Sequence, residues 1–201
     1  MNLYYKIYKP YGMLSQFTPE AGHESLASLL SFQRDVYPVG RLDYDTEGLL
    51  LLTNDKRVNN ALLNPEHKHS KIYWVQVEGE PGDNALALLG KGLTINIKGV
   101  LHQTQPATVN SIKAPSFIME RIPPVNYKKH PVTSWIELKI TEGKNHQVRK
   151  MTAKAGHPTL RLIRYAIEEI NIEKMETGDV IKIERDEFYQ KLNLQNLRRR
   201  F

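Results

Sequence analysis

The sequence predicts an α+β fold, with a mixed, largely antiparallel sheet flanked by helices. Three observations carry that prediction. Strand and helix patterns are interspersed along the chain without a regular βαβ rhythm. Residues 134–141 alternate cleanly, with Ile136, Leu138 and Ile140 on one side and Trp135, Glu137 and Lys139 on the other, which is the period of a half-buried strand. Residues 71–78, KIYWVQVE, have the β-branched and aromatic content that strands favour. With 201 residues, 40% of them hydrophobic, the chain can bury a sizeable core as one domain split into two lobes.

Tyr4 to Tyr8 alternates like a strand. It runs into Lys9-Pro10-Tyr11-Gly12, where proline and glycine supply turn dihedrals. Ser25 to Phe32 has a helical pattern, and Val36 to Val39 leads into the segment GRLDYDTEGLLLLTND at 40–55. Asn54 or Asp55 can cap a helix that runs to about Leu63 and stops at Asn64-Pro65. Asn84 to Leu89 is a short helix. Four prolines interrupt residues 112–131, giving a long surface loop or a hinge between lobes. After the alternating strand, Asn145 can cap a helix that ends at Gly156, a suitable residue just past a helix C-terminus. Leu160 to Ile172 is a strand with a break. Thr177-Gly178-Asp179 turns into a strand over Val180 to Glu184, and a short helix then carries a basic tail.

The chain has no cysteine, which removes disulfide frameworks and thiolate metal sites and fits the cytoplasm. The N-terminus lacks the apolar run of a signal peptide. The longest aliphatic run, Leu49 to Leu52, falls far short of the ~20 residues of a membrane span. The net charge is +6, which favours an anionic partner. Cations gather at Lys128-Lys129-His130, between Lys144 and Lys154, at Arg161 and Arg164, and at Arg198-Arg199-Arg200.

Asp43, Asp45 and Glu47 stand within five residues, just before the four leucines. A calcium loop is the first candidate, because Asp43-x-Asp45-x-Glu47-Gly48 matches the start of an EF-hand. The match then fails. Its twelfth position is Asn54, where a bidentate glutamate is required, and its seventh to tenth positions are leucine. No metal site is expected. Asp45-Thr46-Glu47-Gly48 is good turn chemistry, which accounts for Asp45 and Glu47 but leaves Asp43 over. A carboxylate beside Arg41 stays ionised at neutral pH and is usable as a nucleophile.

The segment GRLDYDTEGLLLLTND resembles the signature motif of the pseudouridine synthases that modify ribosomal RNA. The resemblance continues in the family's order. Lys9 to Ser15 (KPYGMLS) is similar to its opening segment, and Lys71-Ile72-Tyr73 to its lysine-x-tyrosine strand. Glu142 to Met151 (EGKNHQVRKM) is similar to its second long motif, and Arg161-Leu162-Ile163-Arg164 to its last. Many relatives carry a small RNA-binding module of the S4 type ahead of the catalytic domain. Here the motifs begin at Tyr4, which resembles the minimal branch acting on one uridine of large-subunit ribosomal RNA. The Ile122-Pro123-Pro124 loop and Pro131 to Trp135 also resemble that branch. After Ala166-Ile167 the family usually has a glycine, whereas this chain has Glu168-Glu169.

The resemblance implies a single catalytic domain over residues 1–201, with a cleft between two lobes. The implied reaction breaks the N1–C1′ bond of uridine, turns the base and rejoins it through C5, with no cofactor. Asp43 is the implied catalytic carboxylate, either attacking C1′ or removing a proton from the sugar. Arg149 is its implied partner. It sits in the predicted helix at the edge of an apolar face formed by Val148, Met151 and Ala155. Tyr73 stacks on the target uracil, a contact worth roughly 1–3 kcal/mol. That stacking would hold a base flipped out at a cost of a few kcal/mol. Leu162 walls the same pocket, and Arg41 supports the flipped nucleotide's surroundings. Lys144, Lys150, Lys154, Arg161 and Arg164 are the candidate RNA contacts. The expected partner is ribosomal RNA, 23S in particular, with the protein a cytoplasmic monomer. The competing expectation is a non-catalytic RNA-binding or ribosome-assembly protein using the same basic surface.

Overall fold

The computed structural model describes residues 2–199. Arg200 and the side chains of Arg198 and Arg199, on which the expected basic tail rests, lie outside the described residues. In chain order the strands and helices begin with β1 (Tyr4–Lys9), β2 (Met13–Leu14), β3 (Glu24–Ser25), β4 (Tyr37–Pro38), β5 (Glu47–Thr53) and α1 (Lys56–Leu63). Next come β6 (Lys71–Glu78), α2 (Asp83–Lys91), β7 (Thr94–Ile97), β8 (Val100–Gln103) and β9 (Thr108–Ile112). The chain finishes with β10 (Thr133–Ile140), α3 (Gln147–Lys154), β11 (Thr159–Ile167), β12 (Ile170–Asn171), β13 (Val180–Lys182) and α4 (Arg185–Lys191). Two compact units result, residues 1–69 with 164–201, and residues 70–163. No helix of the described residues is long and apolar enough to cross a membrane.

In the first unit β1 pairs antiparallel with β13 on one side and β5 on the other, and β4 also pairs antiparallel with β5. Every residue of β5 is buried, so its leucines serve both faces of the strand, and Leu50 and Leu52 join Ile7, Met13, Leu26, Val36 and Leu42 in one core. β2 and β3 form a short parallel pair. Asp55 caps α1, accepting from Arg57 N at 3.1 Å. The same carboxylate accepts from the Tyr4 hydroxyl at 2.9 Å, the Tyr189 hydroxyl at 2.6 Å and the Arg57 guanidinium at 3.1 Å. Burial pushes this carboxyl up, but the bonds from Arg57, Tyr189 and Tyr4 outweigh it and hold it well below the usual carboxylate range. Asp55→Ala is therefore expected to destabilise the fold by about 3 kcal/mol, through a lost cap and the lost acceptor of two buried hydroxyls. A depressed carboxyl contributes stability above its ordinary value of 3.8, which is lost as pH falls below that value. Urea titrations from pH 7 to 3 should show that loss in the parent and a flatter profile in the variant.

In the second unit β10 pairs antiparallel with β6 and β9. Ile136, Leu138 and Ile140 point into a core with Tyr73, Val75, Val77, Val148, Met151 and Leu162, as the alternation of β10 predicts. β7 and β8 form an antiparallel hairpin. Residues 113–132 carry no helix or strand, and all of them lie within this unit, so they do not link the two.

Three local expectations are corrected. The helix expected over Ser25–Phe32 is a single 3-10 turn, Leu26–Ser28. Leu26, Leu29 and Phe32 do pack into the core, but Ser25 pairs with Leu14 and its hydroxyl donates to Phe17 O at 2.9 Å. Tertiary pairing overrides the local pattern. Asn145 does not cap α3, which starts at Gln147 after a left-handed His146 with φ 50°. Gln147, the first helical residue, ties the helix start to the preceding loop: its Oε1 accepts from Lys144 N at 2.9 Å and its Nε2 donates to Glu142 Oε1 at 2.6 Å. The break after β11 falls at Glu168, whose φ is 48°. That left-handed backbone is one that glycine adopts most freely; here it belongs to Glu168, whose Oε1 lies 3.1 Å from His69 Nδ1.

Candidate active site

Asp43 lies in the first unit, half-buried, on a turn that its own carbonyl closes by accepting from Thr46 N at 3.0 Å. Both neighbours are tied to the segment after β1. Ser15 Oγ donates to Leu42 O at 2.8 Å and accepts from Leu42 N at 3.1 Å. Tyr44 O accepts from Gly12 N at 3.0 Å and from Lys9 Nζ at 3.4 Å. Main-chain atoms on either side of Asp43 are thus fixed by side chains and amides of residues 9–15, and the carboxylate sits on a rigid platform.

Lys9 is the central strut. It is fully buried, and its ammonium also donates to Met13 O at 2.7 Å and Pro10 O at 2.9 Å. Burial pulls its pKa down to about 8. The Glu47, Asp45 and Asp43 carboxylates oppose that pull, and Arg164 adds to it. The three acids before the apolar strand β5 thus lie near enough to a buried cation to favour its charged form. Ser15 and Lys9 both belong to the segment KPYGMLS, but nothing within that segment points to a role for either. Their chemistry depends on contacts about 30 residues away along the chain, which spacing does not reveal.

Gly48 follows at φ 101°, and a Cβ there would stand 2.4 Å from Arg164 O. The main chain of β11 needs that space. Gly48→Ala is expected to cost about 3 kcal/mol or more from backbone conformation and overlap together, read as a lowered Tm in thermal unfolding. Arg41, also in the first unit, is exposed.

The second unit holds Tyr73, Leu162 and Arg149. Tyr73 and Leu162 are buried in the same core as Val148 and Met151 of α3, the helix that carries half-buried Arg149. The loop before α3 is braced by Glu142, which accepts from Gln105 N at 2.8 Å and lies 2.9 Å from His102 Nε2. Tyr73, Leu162 and the helix of Arg149 are therefore one packed assembly. Lys144 and Lys154 are exposed and Lys150 half-buried.

Arg161 and Arg164 are not surface cations. Both are at least nine-tenths buried. Arg161 donates to Met119 O at 2.8 Å, and Arg164 Nε donates to Leu49 O at 2.8 Å. Residues 161–164 of β11 are all buried, and arginines on such a strand need internal acceptors. Their guanidinium groups brace carbonyls and do not form an open phosphate-binding face.

Comparison with known proteins places the chain. Residues 4–154 match the family model described as RNA pseudouridylate synthase. The "Ribosomal large subunit pseudouridine synthase E" of Vibrio parahaemolyticus is 45% identical over 85% of this chain and 69% of its own length. The protein of the same name from Xanthomonas campestris is 43% identical over 85% of this chain and 89% of its own length. The solved structure titled "Crystal structure of pseudouridylate synthase" superposes with a TM-score of 0.75 at 25% identity, covering 96% of this chain and 74% of that one. The motif residues around Asp43, Tyr73 and Arg149 all fall inside the matched span, and the chain belongs to the RNA pseudouridylate synthase family, enzymes that isomerise uridine to pseudouridine in RNA.

Proposed function

We propose that this protein converts one uridine of large-subunit ribosomal RNA, the 23S molecule, to pseudouridine. The observation that carries the proposal is the match over residues 4–154, joined to relatives named for that ribosomal subunit. Asp43 is the catalytic group. Its carboxylate acts at the sugar, as nucleophile at C1′ or as base, and the N1–C1′ bond breaks to free the uracil from the sugar. Tyr73 stacks on the flipped uracil, with its hydroxyl near C5 as the C5 proton leaves. Leu162 walls the base pocket, Arg149 binds the substrate nucleotide, and Arg41 steadies the surrounding RNA. Lys144, Lys150 and Lys154 take phosphates, so affinity falls steeply with added salt. The protein works as a monomer in the cytoplasm.

Rejoining the base through C5 releases the C5 hydrogen, which gives a direct assay. Purified protein incubated with large-subunit ribosomal RNA carrying tritium at uridine C5 is expected to release the label from one site per molecule. RNA binding with no tritium release would favour a non-catalytic RNA-binding protein instead.

A further inference from the structure

Residues 113–132 form an anchored platform, although they contain no helix or strand. Phe117 packs edge-on against Trp74 with ring centroids 5.4 Å apart. Met119 O accepts from Arg161, Val125 is buried, and His130 Nδ1 lies 2.9 Å from Glu78 Oε1. Asn126 turns the chain, its carbonyl accepting from His130 N at 2.9 Å and its side chain from Lys129 N at 3.1 Å. All of these anchors belong to the second unit.

What this platform displays is unusual for a loop. Ile122 is 89% exposed and Met119 72%, and Tyr127 is exposed between them and Lys128-Lys129. Isolated exposed apolar residues need no explanation, but several on one anchored loop mark a contact surface. The cations of residues 113–132 are Lys113, Arg121, Lys128 and Lys129, against the single acid Glu120. An apolar protein partner has no use for that imbalance. An unpaired RNA segment uses both parts, with bases against Tyr127 and the apolar tips and phosphates against the lysines.

We propose that the 113–132 loop is a second RNA-contacting surface that takes an unpaired segment of the substrate. This rests on the proposed ribosomal RNA substrate, and two probes separate the two claims. The full chain is compared with Met119→Ser/Ile122→Ser and Lys128→Ala/Lys129→Ala variants. A Val100→Ser/Leu101→Ser control changes an equally exposed apolar pair on the β7–β8 hairpin. Circular dichroism checks that each folds. With large-subunit ribosomal RNA, both loop variants are expected to raise KM at least about tenfold and to leave kcat at saturating RNA unchanged. The lysine variant should also flatten the salt dependence, and the hairpin control should match the parent. With a short unpaired RNA oligonucleotide, the same variants should lose affinity by a similar factor. That second probe tests the loop even if tritium release from ribosomal RNA fails and the substrate reading falls. Unchanged KM and unchanged oligonucleotide affinity would overturn the proposal. So would a defect seen only on assembled subunits, which would point to a ribosomal protein.

Discussion

Asp43→Asn is expected to abolish pseudouridine formation, lowering the rate at saturating RNA by at least about 10³-fold, with RNA affinity and Tm unchanged. The amide keeps the size of the carboxylate but carries no negative charge, so it can neither attack C1′ nor take a proton from the sugar. The platform should survive the change. Its bonds run to main-chain atoms of Leu42, Asp43 and Tyr44, none of which the substitution alters. Tritium release, filter binding and thermal unfolding on one preparation separate the outcomes. Loss of all three would make the side chain structural. Full activity would remove Asp43 from the chemistry.

Lys9→Met carries the largest expected cost in stability, about 3–5 kcal/mol. The methionine fills a similar volume but removes the ammonium donor from the Pro10, Met13 and Tyr44 carbonyls and takes a cation from the neighbourhood of the buried Glu47. The pH dependence supplies a second signature. The Lys9 pKa of about 8 in the folded chain lies below its ordinary 10.5, so the unfolded chain holds that proton more tightly. Stability contributed by the neutral amine is fully present above 10.5 and is lost as pH falls through 8. The gap corresponds to on the order of 3 kcal/mol. Denaturant titrations from pH 7 to 10.5 should show the parent gaining stability relative to Lys9→Met over that window. A constant difference between the two proteins would mean the lysine does not titrate there.

The elements most legible in the sequence are those whose signals are local. β10 announces itself by alternation, and α1 by Asp55 in front and Asn64-Pro65 behind. β6 is read from its composition. Each is stabilised by the same contacts that its pattern implies. Ser25 to Phe32 misleads because apolar residues spaced three apart also serve a loop that pins itself to a core at intervals. Asn145 misleads because the Gln147 amide donates to the Lys144 carbonyl and not to a capping side chain, and the left-handed His146 moves the helix start. For the proposed site, Asp43 was legible as a candidate because turn chemistry accounted for Asp45 and Glu47 and left it over. Lys9 was not, since nothing within its own strand says that it will be buried beneath a loop more than 30 residues later. Arg161 and Arg164 look like surface cations in the sequence, and only the four-residue buried stretch of β11 shows them bracing carbonyls instead.

The central claim is that Asp43 makes this chain a pseudouridine synthase of large-subunit ribosomal RNA. Its most direct test is nucleotide-resolution mapping of pseudouridine in ribosomal RNA from cells lacking the protein, supplied with either the parent chain or Asp43→Asn. One large-subunit uridine should be modified with the parent and unmodified with Asp43→Asn at equal expression. An identical pseudouridine map with and without the parent chain, or full modification by Asp43→Asn, would contradict it.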